Sequence, residues 1–102
     1  MLYAVVLKEH PTIVKVGRTI NWKTRRREYD CWNLADGDGV LECATFTINE
    51  EYCCLPGLEA ECLGRINAPL VRGTEWFRTN IEHAKETIRQ VLYDNAMSHI
   101  ED

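Results

Sequence analysis

The order of hydrophobic periods predicts an α+β fold: a small, mainly antiparallel sheet of three strands flanked by helices. Three observations carry this expectation. Two β-rich runs stand either side of a short turn at the N-terminus, a third alternating run lies in mid-chain, and asparagines able to cap helices stand after the second run and near the C-terminus. The resulting order is ββαβα, then a short extended piece and a last helix.

Leu2-Tyr3-Ala4-Val5-Val6-Leu7 is apolar and β-rich throughout, as a central strand buried on both faces would be. Lys8 to Thr12 reads as a turn, with Pro11 arguing against continued pairing. Ile13-Val14-Lys15-Val16 is the second strand, closed by Gly17. The Asn21 side chain can accept from the amide of Lys23 or Thr24, so a helix is expected from Trp22 to about Leu34, before the Asp36-Gly37-Asp38-Gly39 turn. Val40 to Ile48 is the third strand, with Val40, Ala44, Phe46 and Ile48 on one face and Cys43, Thr45 and Thr47 on the other. Asn49-Glu50-Glu51 opens like a helix, but Pro56-Gly57 interrupts it, which predicts a short turn and then a helix over about residues 57–66. Pro69 and Gly73 punctuate a loop, and Glu75-Trp76-Phe77-Arg78 reads as a short edge strand. Asn80 caps the last helix, expected over about residues 80–97, with Ile81, Ala84, Ile88, Val91 and Leu92 at helical spacing.

A chain of 102 residues is one small domain, too short for two cores of useful size. Its 45% apolar and 27% charged residues are ordinary globular usage, which excludes disordered and collagen-like classes. The longest apolar run, Leu2 to Leu7, falls far short of the roughly 20 residues a membrane span needs, and it is not preceded by the basic stretch of a signal peptide. The expectation is a soluble cytoplasmic domain with no membrane partner. Cys31, Cys43, Cys53, Cys54 and Cys62 are odd in number and contain no C-x-x-C pair, so reduced, mostly buried thiols are favoured over a disulfide framework or a Cys₄ zinc site.

Charge is segregated along the chain. The net charge is −4, yet residues 1–30 carry seven bases (Lys8, Lys15, Arg18, Lys23, Arg25, Arg26, Arg27) against three acids, a balance of +4. The remainder carries five bases against thirteen acids, a balance of −8. Such asymmetry marks a local polyanion site on an acidic protein, against the plainer reading of Lys23–Arg27 as a solvated helix face.

Several of these residues together resemble a known family. Leu2-Tyr3 in the first strand and Lys15-Val16-Gly17-Arg18-Thr19 at the end of the second are similar to the two halves of the GIY-YIG nuclease signature. Arg25 follows Gly17 by eight residues, Tyr29 follows Arg25 by four, and Glu59 opens a later helix in Leu58-Glu59-Ala60-Glu61, all in keeping with that family. Lys15 in place of the second Tyr, and Gly73-Thr74-Glu75-Trp76-Phe77, resemble its compact phage- and meiosis-associated branch. The resemblance covers about residues 2–79. Met1 stands where the family has its leading Gly, Tyr29 replaces the commoner His, and Leu63 and Ile66 replace a His and a Phe of the branch.

The resemblance implies a GIY-YIG-like DNA endonuclease in a bacterial or phage-infected cell, hydrolysing phosphodiester bonds with Mg²⁺ or Mn²⁺. It implies catalytic roles for Tyr3, Lys15, Arg25 and Tyr29, and a metal-binding role for Glu59. That chemistry needs a group to deprotonate water, a cation on the phosphate oxygens and a carboxylate-held metal. Tyr3 would be the base. A free tyrosine near pKa 10 is a poor one, so Lys15, Arg25 and the metal would have to favour its phenolate. Arg25 offers a planar fork that matches phosphate, and on a helix it shares a face with Tyr29 while Arg26 and Arg27 turn away. Arg18, Trp22, Lys23, Arg26 and Arg27 are then candidates for contact with the nucleic acid, Trp22 as an exposed aromatic. Trp76 and Phe77 read as structural. Glu59 suits Mg²⁺, which takes one or two carboxylates, with Glu61 as its competitor. Each residue also has a plainer reading: Tyr3 as a core aromatic, Arg25 as one more solvated arginine, Glu59 as a helix-start acid favoured by the dipole. The acidic second half leaves open a catalytically inactive module that binds nucleic acid or a protein partner.

Overall fold

The computed structural model describes residues 1–31, 39–48, 55–73 and 75–102. β1 (Leu2–Leu7) lies at the centre of a six-stranded antiparallel sheet and is buried along its whole length. β2 (His10–Arg18) flanks it on one side and β3 (Val40–Ile48) on the other. Two short strands extend the β2 side, β5 (Trp76–Arg78) and then β4 (Leu70–Arg72), and β6 (His99–Glu101) borders β3, giving the order β4-β5-β2-β1-β3-β6.

Among the described residues, three helices cover the two faces. α1 (Trp22–Asp30) opens at Asn21, whose side chain accepts from the Thr24 amide at 3.2 Å. α2 (Leu55–Arg65) buries Leu55, Leu58 and Cys62, and α3 (Ile81–Asp94) buries Ile81, Ala84, Ile88, Val91 and Leu92. Alternation along β1 divides the core between them. Leu2, Ala4 and Val6 pack with α2 and α3, while Tyr3, Val5 and Leu7 pack with Tyr29 and Trp22 of α1. The six-residue apolar run thus serves two cores, because side chains alternate across the sheet.

The sheet holds six strands rather than three. Leu70–Arg72, read as a loop, pairs with β5, so β5 is interior and not an edge. His99–Glu101 pairs with the end of β3, and Asp102 and Thr45 exchange backbone bonds of 2.8 and 2.9 Å. Strands of three residues carry too few side chains to show a period; β5 and β6 are held by the longer β2 and β3, and β4 pairs in turn with β5. Pro11 sits inside β2, in an exposed stretch beyond the register break at Val6/Leu7, where a missing N–H is tolerated.

Pro56 and Gly57 lie in the first turn of α2 instead of interrupting it; proline is at home there, since first-turn amides have no helical partner. Val40 packs with Tyr3, Val5 and Cys43, opposite the face shared by Ala44 and Phe46. The register of β1 and β3 slips between Val6 and Leu7, and the extra residue inverts the side-chain alternation. α1 ends at Asp30; the expected extension through residues 32–34 and the Asp36–Asp38 turn lie outside the described residues, as do Asn49-Glu50-Glu51 and Cys53-Cys54. No helix among the described residues is long and apolar enough to cross a membrane.

Candidate functional site

At one end of β2 the sheet is notched. β5 pairs with β2 only at Ile13, Val14 and Lys15, after which the Val16 amide donates to the Glu75 carbonyl at 3.1 Å. Gly17 and Arg18 lie beyond that pairing, and a cleft of about 220 Å³ forms there. Its walls are Tyr3, Lys15, Gly17, Arg18, Arg25, Glu59 and Glu75. The notch lets residues from opposite layers meet: Arg25 comes from α1 on one face and Glu59 from α2 on the other.

The floor is an aromatic cluster. Tyr3 stands opposite Gly17 in the register, and its ring lies over the glycine. A Cβ at Gly17 would come within 2.6 Å of the Tyr3 hydroxyl and 2.7 Å of the ring carbon bearing it, so only glycine permits this approach. Tyr3 is fully buried and contributes to the floor of the cleft beneath its charged walls. Its hydroxyl shares a 2.7 Å hydrogen bond with that of Tyr29. Burial, reinforced by that hydrogen bond, pushes the Tyr29 hydroxyl far above the ordinary tyrosine range, although the Arg25 guanidinium beside it pulls the other way. Trp22 is half-buried, its ring 4.9 Å from that of Tyr3 and 6.5 Å from that of Tyr29. It is a wall of the tyrosine pocket, not a fully exposed platform.

Charge on the walls is paired. The Lys15 ammonium contacts the Glu75 carboxylate at 2.5 Å and lies 5.9 Å from the ring centres of both Tyr3 and Trp76. Arg18 Nε lies 3.5 Å from Glu59, and Arg25 Nε 3.4 Å from Glu28. Burial and the nearby Glu75 charge raise the Glu59 carboxyl above the usual carboxylate range, against the opposing pull of Arg18 and Lys15. Arg25 remains a cation: burial works against its charge, but Tyr3, Glu28 and Tyr29 outweigh it.

Of the residues singled out in the sequence, Tyr3, Lys15, Arg18, Arg25 and Glu59 share the cleft, and Tyr29 touches it through Tyr3 and Arg25. Glu61 does not: it faces α3, accepting from Asn95 at 2.9 Å and pairing with Arg65 at 3.2 Å. Arg26 turns toward Asp30 at 3.9 Å and donates to Cys43 Sγ at 3.6 Å, whereas Lys23 and Arg27 are exposed on α1. Glu75, expected to open the short strand, lies just before β5, and its place in the cleft depends on the pairing of β2 with β5, which neither segment shows alone.

A magnesium-type cation is compatible with the donors present. Glu59, partly enclosed and 3.5 Å from Arg18 Nε, offers the hard carboxylate oxygens that such a cation takes. Among the described residues there is no group of three His, Cys, Asp or Glu side chains that would form a closed transition-metal site. Cys31, Cys43 and Cys62 are free thiols, and burial pushes that of Cys62 up to about 12, so it packs as an inert apolar group. The fold and cleft thus define an α+β domain whose antiparallel sheet carries, at one notch, a tyrosine floor and mixed-charge walls. No protein-family model, curated protein or solved structure matches the chain.

Proposed function

We propose that this domain is a small metal-dependent DNA endonuclease of GIY-YIG-like type. The observation that carries the reading is the convergence of Tyr3, Lys15, Arg25 and Glu59, from two strands and two helices, on a single cleft over Gly17. Nothing in local structure requires that meeting. The order ββαβα, with short strands added, also agrees with the fold that the resemblance implies.

On this reading a phosphodiester enters the notch with a non-bridging oxygen on the Arg25 guanidinium, whose fork suits it. Tyr3, as its phenolate, takes the proton of the attacking water as the new P–O bond forms and the bond to the leaving alkoxide breaks. Tyr29 keeps its own proton and can donate it in a hydrogen bond that stabilises the Tyr3 phenolate before that transfer. Lys15, close to the Tyr3 ring, adds positive charge on the same side. Glu59 would hold Mg²⁺ or Mn²⁺, which when bound neutralises charge on the phosphate oxygens. Arg18 then has a second role, releasing Glu59 or remaining on the DNA backbone.

The test is plasmid nicking by the purified chain with Mg²⁺ or Mn²⁺, with and without EDTA. Cleavage that EDTA removes, and that Glu59→Ala abolishes while leaving DNA affinity within about twofold, is the expected result. A Glu59→Ala protein that cuts at the wild-type rate overturns the metal assignment.

A second reading rests on the pairing of the basic residues. Lys15, Arg18 and Arg25 each face an acid, so the cleft is more nearly neutral than a nuclease groove usually is. A binding module without catalysis would hold DNA weakly and never nick it under the same conditions.

A further inference from the structure

We propose that Glu75 is a positioning residue of the cleft, clamping the Lys15 ammonium beside the Tyr3 ring; its consequence for catalysis rests on the nuclease reading. Lysine carries its charge on a long flexible stem, and a cation at a chosen point needs something to hold it there. Here the holding is built from backbone outward. The Glu75 carbonyl accepts from the Val16 amide, and the next residue, Trp76, pairs with Lys15 across β5 and β2. The Glu75 carboxylate is thereby set against Lys15 Nζ, with contact at 2.5 Å. The ammonium lies 5.9 Å from the ring centres of Tyr3 and Trp76, within cation–π range of both.

Lys15 retains only 12% of its side-chain exposure, while Glu75 retains 37%. The lysine is therefore the enclosed partner, and the glutamate is the gatepost at the cleft's rim. A purely structural bridge would not need to end over the tyrosine that forms the floor. Removing the Glu75 charge while keeping its shape should have two opposed effects. Lys15 is freed to swing away from Tyr3, which slows any reaction that uses it. The cleft also becomes more positive, which strengthens binding of a polyanion.

Two measurements on the full chain test this, one of them independent of DNA. Limited acylation with an amine-reactive ester, read by mass spectrometry, follows Lys15 against the exposed Lys8 and Lys23. Lys15 should label slowest in the wild type. In Glu75→Gln its rate should rise at least threefold, with Lys8 and Lys23 unchanged, and Glu75→Asp should fall between. In cleavage, Glu75→Gln should lower kcat at least tenfold while KM for DNA stays level or falls. The Lys15→Ala/Glu75→Gln double variant should be no slower than Lys15→Ala alone.

A Lys15 labelling rate unmoved by Glu75→Gln, in protein whose circular dichroism is native, overturns the proposal. So does full additivity of the two substitutions in kcat. A wild type that cuts nothing, with Lys15 still released by Glu75→Gln, instead overturns the nuclease reading and leaves the clamp standing.

Discussion

Gly17 and Glu59 are the residues at which the cleft's design is most exposed to test. At Gly17 the side chain is excluded by contact, not by backbone angle, since a Cβ would overlap the Tyr3 hydroxyl. Gly17→Ala must therefore push the Tyr3 ring from its pocket between Trp22 and Tyr29. Overpacking of this kind costs about 1–3 kcal/mol, and thermal denaturation of the variant should read a loss in that range, with the near-ultraviolet aromatic signal altered. At Glu59 the carboxyl is raised above its unfolded value, chiefly by burial and by Glu75. Its ionisation is thus harder in the folded chain. The stability it contributes is full at acid pH and declines as pH rises through its raised folded value. Glu59→Gln should accordingly raise Tm at neutral pH and leave it unchanged near pH 3. If Glu59 holds a metal, as the nuclease reading requires, its binding runs the opposite way, because it needs the carboxylate: Mn²⁺ affinity, followed by calorimetry, should fail on acidification at a higher pH than for an ordinary glutamate.

At the scale of elements, the long ones were legible, and of the three-residue strands only β5 was, read as an edge strand rather than an interior one. β1, the first strand of the hairpin, β3 and α3 follow from hydrophobic pattern, and all five apolar positions named for α3 are buried. Both helix caps were legible because a cap is a local device. Asn21 accepts from Thr24, and Asn80 accepts from the His83 amide at 2.9 Å. Asn80→Ala should therefore cost about 1 kcal/mol, a fall in Tm of roughly 4–8 °C for a domain of this size. β4 and β6 could not be read in this way. Neither is long enough to bury a face of its own, and each is held by the strand it pairs with, β4 by β5 and β6 by β3. The inverted alternation at Val40 has the same origin: a bulge is a property of two strands, visible in neither alone.

Over the whole molecule, the charge asymmetry of the sequence does not become two clean faces. Glu61 and Glu82 do lie away from the basic residues, paired with Arg65 and Lys85. Acids do meet the basic segment: its own Glu28 and Asp30, and Glu59 and Glu75 from distant parts of the chain, pair with its arginines and Lys15. Partly exposed pairs of this kind are weak and are screened within about 8 Å at 0.15 M salt, so a phosphate can compete for Arg18 or Arg25. Steering of a polyanion falls first to the exposed Lys23 and Arg27 of α1. If DNA is the partner, the Lys23→Ala/Arg27→Ala variant should bind more weakly and flatten the plot of log affinity against log salt by about two units of slope. Filter binding or fluorescence anisotropy between 50 and 200 mM salt reads that change, and an unaltered slope assigns the contacts elsewhere.

The sequence by itself determined what depends on near neighbours: the α+β class, the central apolar strand and the capped helices. Those readings succeed because periodicity and capping act over a few residues. Tertiary structure alone decided which side chains meet. It separated Glu59 from Glu61 by turning the second toward α3, drew Trp22 into the tyrosine cluster, and brought Glu75 across to Lys15. Each is a contact between residues far apart in the chain, set by strand register and by the packing of helices on opposite faces. Such contacts are properties of the assembled sheet, and no single segment carries them.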